Sequence, residues 1–226
     1  MDKFVELLAS FLAVIVVITL HEFAHAFVAH KCGDDTAKIE GRMTLNPVKH
    51  FDLLGIICFA LAGFGWAKPV PVNPNNFKNY RWGSFLTSIA GVIVNFLCAF
   101  LFLPLYFLSV EYLLPMFAGK YMATFLYYLP LYLYSYSISF CIFNLLPLYP
   151  LDGYRMWYAL DKKNNKLLTF LGYYGPYILM GLIAINYLSQ YVSFLNYINL
   201  LGYAMQYIGG VLSWPIKTFW TWIFTL

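Results

Sequence analysis

The chain is short of charge. Only 11% of its 226 residues are Asp, Glu, Lys or Arg, while 62% are hydrophobic, and soluble domains carry about 25% charged residues. That shortage excludes a soluble globule, because the apolar surface exceeds what a core of this size buries and lipid must solvate the rest. Cysteine is equally sparse. Cys32, Cys58, Cys98 and Cys141 form no CxxC pair, which excludes a disulfide framework or a metal knuckle and leaves small buried hydrophobes. No Lys/Arg run exists and the net charge is only +4, so nucleic acid is not an expected partner. Internal repeats, low-complexity tracts and long polar stretches are missing too.

What the sequence does have is apolar runs. A spanning helix needs about 20 mainly apolar residues, and residues 4–30, 83–110, 121–146, 167–188 and 200–224 fit that template. The expectation is an all-α polytopic membrane protein with about five transmembrane helices, the first read as a retained signal anchor. Residues 52–64 carry Gly55 and Gly63 and are short for a span, which predicts a re-entrant or interfacial segment. If that segment does not cross, Lys31, Lys38, Arg42, Lys49, Lys68, Lys78, Arg81, Arg155, Lys162, Lys163 and Lys166 share one side, eleven of the fourteen basic residues. The positive-inside rule makes that side cytoplasmic, with the N-terminus outside and the C-terminus inside. Trp66, Trp82, Trp157, Trp220 and Trp222 fall near the same interface, where aromatic anchors concentrate. Within the 31–82 loop, residues 37–45 and 67–73 read as extended, giving a small β element on the cytoplasmic side. Pro69 and Pro71 lack N–H groups at alternate positions, which confines the second strand to a sheet edge.

The first apolar run ends in His21-Glu22-Phe23-Ala24-His25, an HExxH pattern. Histidines at i and i+4 share one helix face and can chelate one Zn²⁺, with Glu22 beside them to act on water. Residues 7–20 carry no charge, so these ionisable groups sit at membrane depth, at a cost of about 2.5–3.5 kcal/mol each on insertion scales. The competing reading is a pair of hydrogen-bonded core histidines with a paired buried acid. His30 and His50 lie at or beyond the interface and read as solvated loop histidines.

A catalytic zinc needs a third protein ligand and an open position. Asp34, Asp35 and Glu40 read as a solvated charge cluster among Lys31, Lys38 and Arg42, and Asp161 lies beside Lys162 and Lys163. Asp152 differs. It closes the segment from Asn144 to Gly153, in which Pro147 and Pro150 must break the helix and can turn a carboxylate back towards the membrane. A turn-forming Asp-Gly is the alternative. The first and third runs point the same way if 52–64 does not cross, so both motifs reach one leaflet.

These two motifs together resemble the site-2 proteases, intramembrane zinc metalloproteases that pair an HExxH helix with a downstream N-x-x-P-x-P-x-L-D-G segment. Asn144, Pro147, Leu151, Asp152 and Gly153 match that segment; Tyr149 stands where proline is common, with Pro150 directly after it. Gly41 to Pro47 and Lys68 to Val72 resemble loop and edge-strand segments of compact members. Ala90-Gly91-Val92-Ile93-Val94-Asn95 resembles the family's middle helix, Val92 replacing a proline. The resemblance covers about residues 1–160. It implies that His21, His25 and Asp152 bind one Zn²⁺ per chain and that Glu22 is the general base, activating water and returning the proton to the leaving amine. Asn95 and Asn144 are candidate oxyanion or substrate-backbone donors, or else helix–helix hydrogen bonders. A substrate helix must unwind before cleavage, so Val70 and Val72 are expected to receive it by β-augmentation.

The implied activity is endoproteolysis within or near a transmembrane segment. The expected division is a metalloprotease membrane core over residues 1–166 and two further helices over 167–226. No loop is long enough for a PDZ-like or CBS-like domain, which leaves substrate selection to the membrane core, its loops or a separate regulatory membrane partner. The partners expected are a transmembrane protein or peptide substrate and the lipid bilayer of the cell. A non-catalytic zinc scaffold and an ion transporter are the rival readings; buried His and Asp also mark ion routes, but the paired broken helices common in transporters are missing. The tyrosine-rich third run is expected to serve helix packing and interfacial anchoring.

Overall fold

The computed structural model describes residues 2–62, 65–117, 119–163 and 165–225. Among the described residues eight α-helices follow in order: α1 (Asp2–Cys32), α2 (Thr36–Ile39), α3 (Leu53–Ala62), α4 (Tyr80–Leu108), α5 (Lys120–Leu145), α6 (Asp152–Leu160), α7 (Lys166–Leu188) and α8 (Leu200–Phe224). Four helical stretches among these residues are long and apolar enough to cross a membrane: α1, α4 with its continuation to Met116, α5 and α7. This is an all-α membrane protein. The expected fifth crossing is the 25-residue α8, which is long enough but is not among those four. Its aliphatic residues are diluted by Tyr203, Gln206, Tyr207, Trp214 and Lys217.

The core is the α1, α4 and α5 trio. Along α1, Ala9, Ala13, Val17, His21 and Ala24 are buried at helical spacing, and the alanines let the neighbouring helices approach closely. Val17 and Ala13 pack on Leu133 of α5, while Ala99 and Leu103 of α4 meet Ile138 and Ile142 of α5 and Ile216 of α8. Polar ties reinforce the apolar packing. The Tyr132 hydroxyl donates to Glu6 Oε1 at 2.7 Å, Ser10 and Tyr136 share a hydrogen bond of 2.6 Å, and the Trp220 indole donates to the Phe100 carbonyl at 2.8 Å. The expected packing role of the α5 tyrosines is visible in the stacked rings of Tyr128, Tyr132 and Tyr136. Outward faces stay apolar, with Tyr177, Met180 and Val211 all at least 70% exposed.

At one end of the trio the chain folds into the 33–79 loop. It opens and closes on the last turn of α1, where the Cys32 carbonyl accepts from Lys78 N at 3.0 Å. Inside it, α3 has ten residues, about 15 Å of helix, too short to span about 30 Å of hydrocarbon. Gly63 and Phe64 of the expected re-entrant segment lie outside the described residues.

The expected β element is corrected. Among the described residues there is no sheet, only one antiparallel bridge between Phe51 and Ala67. Residues 37–45 do not form a strand, because Thr36–Ile39 coil into α2 and bury Ala37 against Ala26 of α1 and Val70. Residues 68–73 are extended but lack a partner strand; side chains and isolated carbonyls hold them instead.

At the same end, α5 stops at Leu145 and α6 starts at Asp152. Pro147 and Pro150 cannot continue the helix, and the turn brings α6 back so tightly that a Cβ on Gly153 would lie 2.3 Å from the Leu145 carbonyl oxygen. Only glycine fits there.

Candidate metal centre

His21 and His25 stand one turn apart on the buried face of α1, with ring centroids 4.5 Å apart and edge to face. Their Nε2 atoms are 3.0 Å from each other. Asp152, the first residue of α6, brings its Oδ2 to 3.3 Å from His21 Nε2 and 3.1 Å from His25 Nε2. All three residues are buried. The α5–α6 turn therefore returns a carboxylate to the HExxH face.

This triangle fits a zinc ion by the chemistry and spacing of its donors. Two imidazole nitrogens and a carboxylate oxygen suit Zn²⁺, and a tetrahedron with bonds of about 2.0–2.1 Å has edges of about 3.3–3.4 Å. The observed edges of 3.0, 3.1 and 3.3 Å lie close to that size. Asp152 Oδ2 is buried without a hydrogen-bond donor among the described residues, an arrangement that a cation relieves.

Helix α4 forms the wall behind both rings. His25 Nδ1 donates to the Thr87 carbonyl at 2.7 Å, and Asn95 Nδ2 lies 3.0 Å from His21 Nδ1. Between them a Cβ on Gly91 would stand 2.5 Å from His21 Cε1 and from His25 Nε2, so the absent side chain is what admits the imidazoles.

Glu22 faces the extended segment. Its Oε2 accepts the Val70 amide at 2.8 Å. That amide is thus spent on Glu22 and is not open to a substrate strand, whereas Val72 N has no backbone partner among the described residues. The segment is gripped on both sides of Val70. Upstream, Arg42 Nη2 donates to the Lys68 and Pro69 carbonyls at 2.8 and 3.1 Å, and the His50 carbonyl accepts from Lys68 N at 2.9 Å. Downstream, Asp34 Oδ2 accepts from Asn73 N at 2.7 Å, while its Oδ1 accepts from Asn76 Nδ2 at 2.8 Å and from Thr36 N and Oγ1 at 3.1 and 2.5 Å.

Three loop residues are therefore corrected. Asp34 is 1% exposed and His50 fully buried, not solvated, because each completes the frame around the extended segment; His50 Nε2 donates to the Thr44 carbonyl at 2.8 Å. Arg42, expected among the charges of the same solvated cluster, is buried as well. Burial opposes the charge on Asp34, but hydrogen bonds from Thr36, Asn76 and Asn73 overcome it and lower its pKa. The donor-rich Asn73-Pro74-Asn75-Asn76 turn was the available sequence signal. His30 does remain at the surface, paired with Asp35.

A cavity of about 890 Å³ opens from this cluster and is mostly apolar, lined among others by Trp66, Val70, Tyr136, Asn144, Leu179 and Met205. It reaches α7 and α8. Asn144 borders it and donates to the Phe140 carbonyl at 3.1 Å. Asn95 is fully buried behind His21 and is not among the lining residues.

Comparison with known proteins is consistent across relatives. The family described as Peptidase family M50 matches residues 9–127. The protein named "Putative zinc metalloprotease YwhC" from Bacillus subtilis is 47% identical over 145 residues, 64% of this chain and 65% of that one. Two proteins of the same designation named Rip2 are more distant. That of Mycolicibacterium smegmatis is 30% identical over 61% of this chain and 51% of its own, and that of Mycobacterium tuberculosis is 32% identical over 67% and 55%. The chain thus spans between about half and two thirds of these relatives. No solved structure matches it.

Proposed function

The chain belongs to peptidase family M50, and on that footing we propose that it is an intramembrane zinc metalloendopeptidase of site-2 protease type, hydrolysing a peptide bond within or near a transmembrane segment of a membrane-protein substrate. The observation that carries this reading is the convergence of His21, His25 and Asp152 beside Glu22, buried in a bundle built of helices able to span a membrane.

His21, His25 and Asp152 would hold the ion through Nε2, Nε2 and Oδ2, and zinc bound there would supply a Lewis acid able to polarise a peptide carbonyl and activate water near neutral pH. Glu22 moves the proton. Its Oε2 is engaged by Val70, so Oε1 takes the proton from the attacking water and delivers it to the leaving amine. A substrate helix hides its carbonyls in i to i−4 hydrogen bonds and must reach the site unwound. The apolar cavity takes its side chains, the Val70 carbonyl and Val72 backbone align its extended main chain, and Asn144 offers an amide to that chain or to the developing oxyanion. With eleven of fourteen basic residues on one side, the site faces the cytoplasm of the cell membrane. Substrate selection falls to the membrane core, its loops or a separate membrane partner.

The test is zinc analysis of purified protein joined to cleavage of a panel of single-span substrates. Glu22→Gln is expected to keep about one zinc per chain and lose cleavage, and Asp152→Ala to lose both. Cleavage at the parent rate by Glu22→Gln would overturn the role of Glu22 as proton carrier, and a parent that holds zinc but cleaves none of the panel would leave a zinc scaffold as the better description.

A further inference from the structure

The atoms that converge on the metal position are His21 Nε2, His25 Nε2 and Asp152 Oδ2. A neutral imidazole that gives its Nε2 lone pair to a cation carries its proton on Nδ1. Buried as both rings are, each Nδ1–H needs an acceptor. His25 has one in the Thr87 carbonyl at 2.7 Å.

Among the described residues, the one polar side chain within hydrogen-bond distance of His21 Nδ1 is that of Asn95. The Asn95 amide nitrogen lies 3.0 Å away, and Asn95 Oδ1 is buried with no partner among the described residues. An amide N–H and an imidazole N–H cannot bond each other. A half-turn of the carboxamide exchanges its oxygen and nitrogen in the same space and brings the unpartnered oxygen to face the ring.

We propose that Asn95 is a positioning residue for the metal: its Oδ1 accepts the Nδ1–H of His21 and so fixes the tautomer and ring angle that aim Nε2 at His25 and Asp152. Thr87, Gly91 and Asn95 recur every fourth residue and form one stripe of α4. The outer two hold the two rings, and Gly91 between them makes the room, since a Cβ there would stand 2.5 Å from both imidazoles. Lying behind His21 and outside the cavity lining, Asn95 acts through the histidine and does not touch substrate. Partners that set a ligand's tautomer are commonly worth 10–100-fold in metal affinity.

The inference rests on the zinc reading above, and the experiment separates the two. Purified protein in detergent is titrated with zinc against a competing chelator, as parent, Asn95→Leu, Asn95→Asp and His21→Ala. Asn95→Leu is expected to bind zinc roughly 10–100-fold more weakly, whereas Asn95→Asp, which accepts at either oxygen, stays within a few-fold of the parent. A merely structural amide would lower the thermal stability of the metal-free protein and leave zinc affinity alone. Parent-like affinity in Asn95→Leu, or equal losses in the Leu and Asp variants, overturns the proposal. Should Asn95→Leu fail to fold, the ¹⁵N spectrum of histidine-labelled, zinc-loaded parent decides: a hydrogen-bonded proton on His21 Nδ1 is expected, and an unprotonated Nδ1 refutes it. A parent that binds no zinc refutes the metal centre itself and this inference with it.

Discussion

Asp34 offers the sharpest test of how the extended segment is held. Its carboxylate accepts four hydrogen bonds, two of them from Thr36 and two from Asn73 and Asn76 across the loop. Asp34→Ala removes both cross-loop bonds and strands the Asn73 amide. Hydrogen bonds to a charged group are worth about 1.5–3 kcal/mol each, and two that act together are not fully additive, so the local cost is about 2–4 kcal/mol. At 1.4 kcal/mol per tenfold, opening of residues 67–77 rises roughly 30- to 1,000-fold. Hydrogen exchange read by mass spectrometry measures it: that peptide should lose protection while α4 and α5 keep theirs. Low pH should imitate the variant. Because the Asp34 pKa is lowered from 3.8 in the folded protein, its contribution is present above that value and is lost as pH falls through the folded-state pKa below it. Unchanged exchange over 67–77, or equal loosening of α4, would refute the argument.

Gly91→Ala places a methyl group 2.5 Å from both imidazoles and should drop zinc content well below one per chain; a full complement of zinc measured by elemental analysis would contradict the close packing. Val70→Pro removes the amide that holds Glu22 Oε2 and should lower kcat about 10–100-fold, from about 1.5–3 kcal/mol, with zinc retained. Val70→Ala keeps the amide and serves as control, so equal kcat values in the two variants would show that this bond does not position the base.

The clustering of His21, Glu22, His25 and Asp152 was legible because its members stand out. His21, Glu22 and His25 interrupt an uncharged apolar run, and Asp152 follows two helix-breaking prolines, so each is an ionisable group whose burial needs a physical reason. The frame around them was not. Asp34, Arg42 and His50 lie in a loop already rich in charge, where one more ionisable residue carries no signal, and Arg42 is satisfied by main-chain carbonyls that leave no mark in a sequence. The strand assignment for 37–45 failed for a tertiary reason: α2 buries Ala37 beneath Val70, and packing overrides local propensity. Residues 68–73 take neither helix nor strand, and the alternation of prolines says nothing about whether another strand or a set of side chains will satisfy the backbone.

The bond between Val70 and Glu22 ties the position of a buried carboxylate to the length of a peptide. Residues 68–73 are pinned at either end, by Arg42 and His50 on one side and Asp34 on the other, with Glu22 held from the middle like a string stopped at a fret. Extended backbone presents its amides to opposite sides with a period of two. One residue inserted between Lys68 and Val70 would point the amide at position 70 away from Glu22 without disturbing any metal ligand. The number of residues in this stretch is therefore as constrained as the buried side chain of Val70.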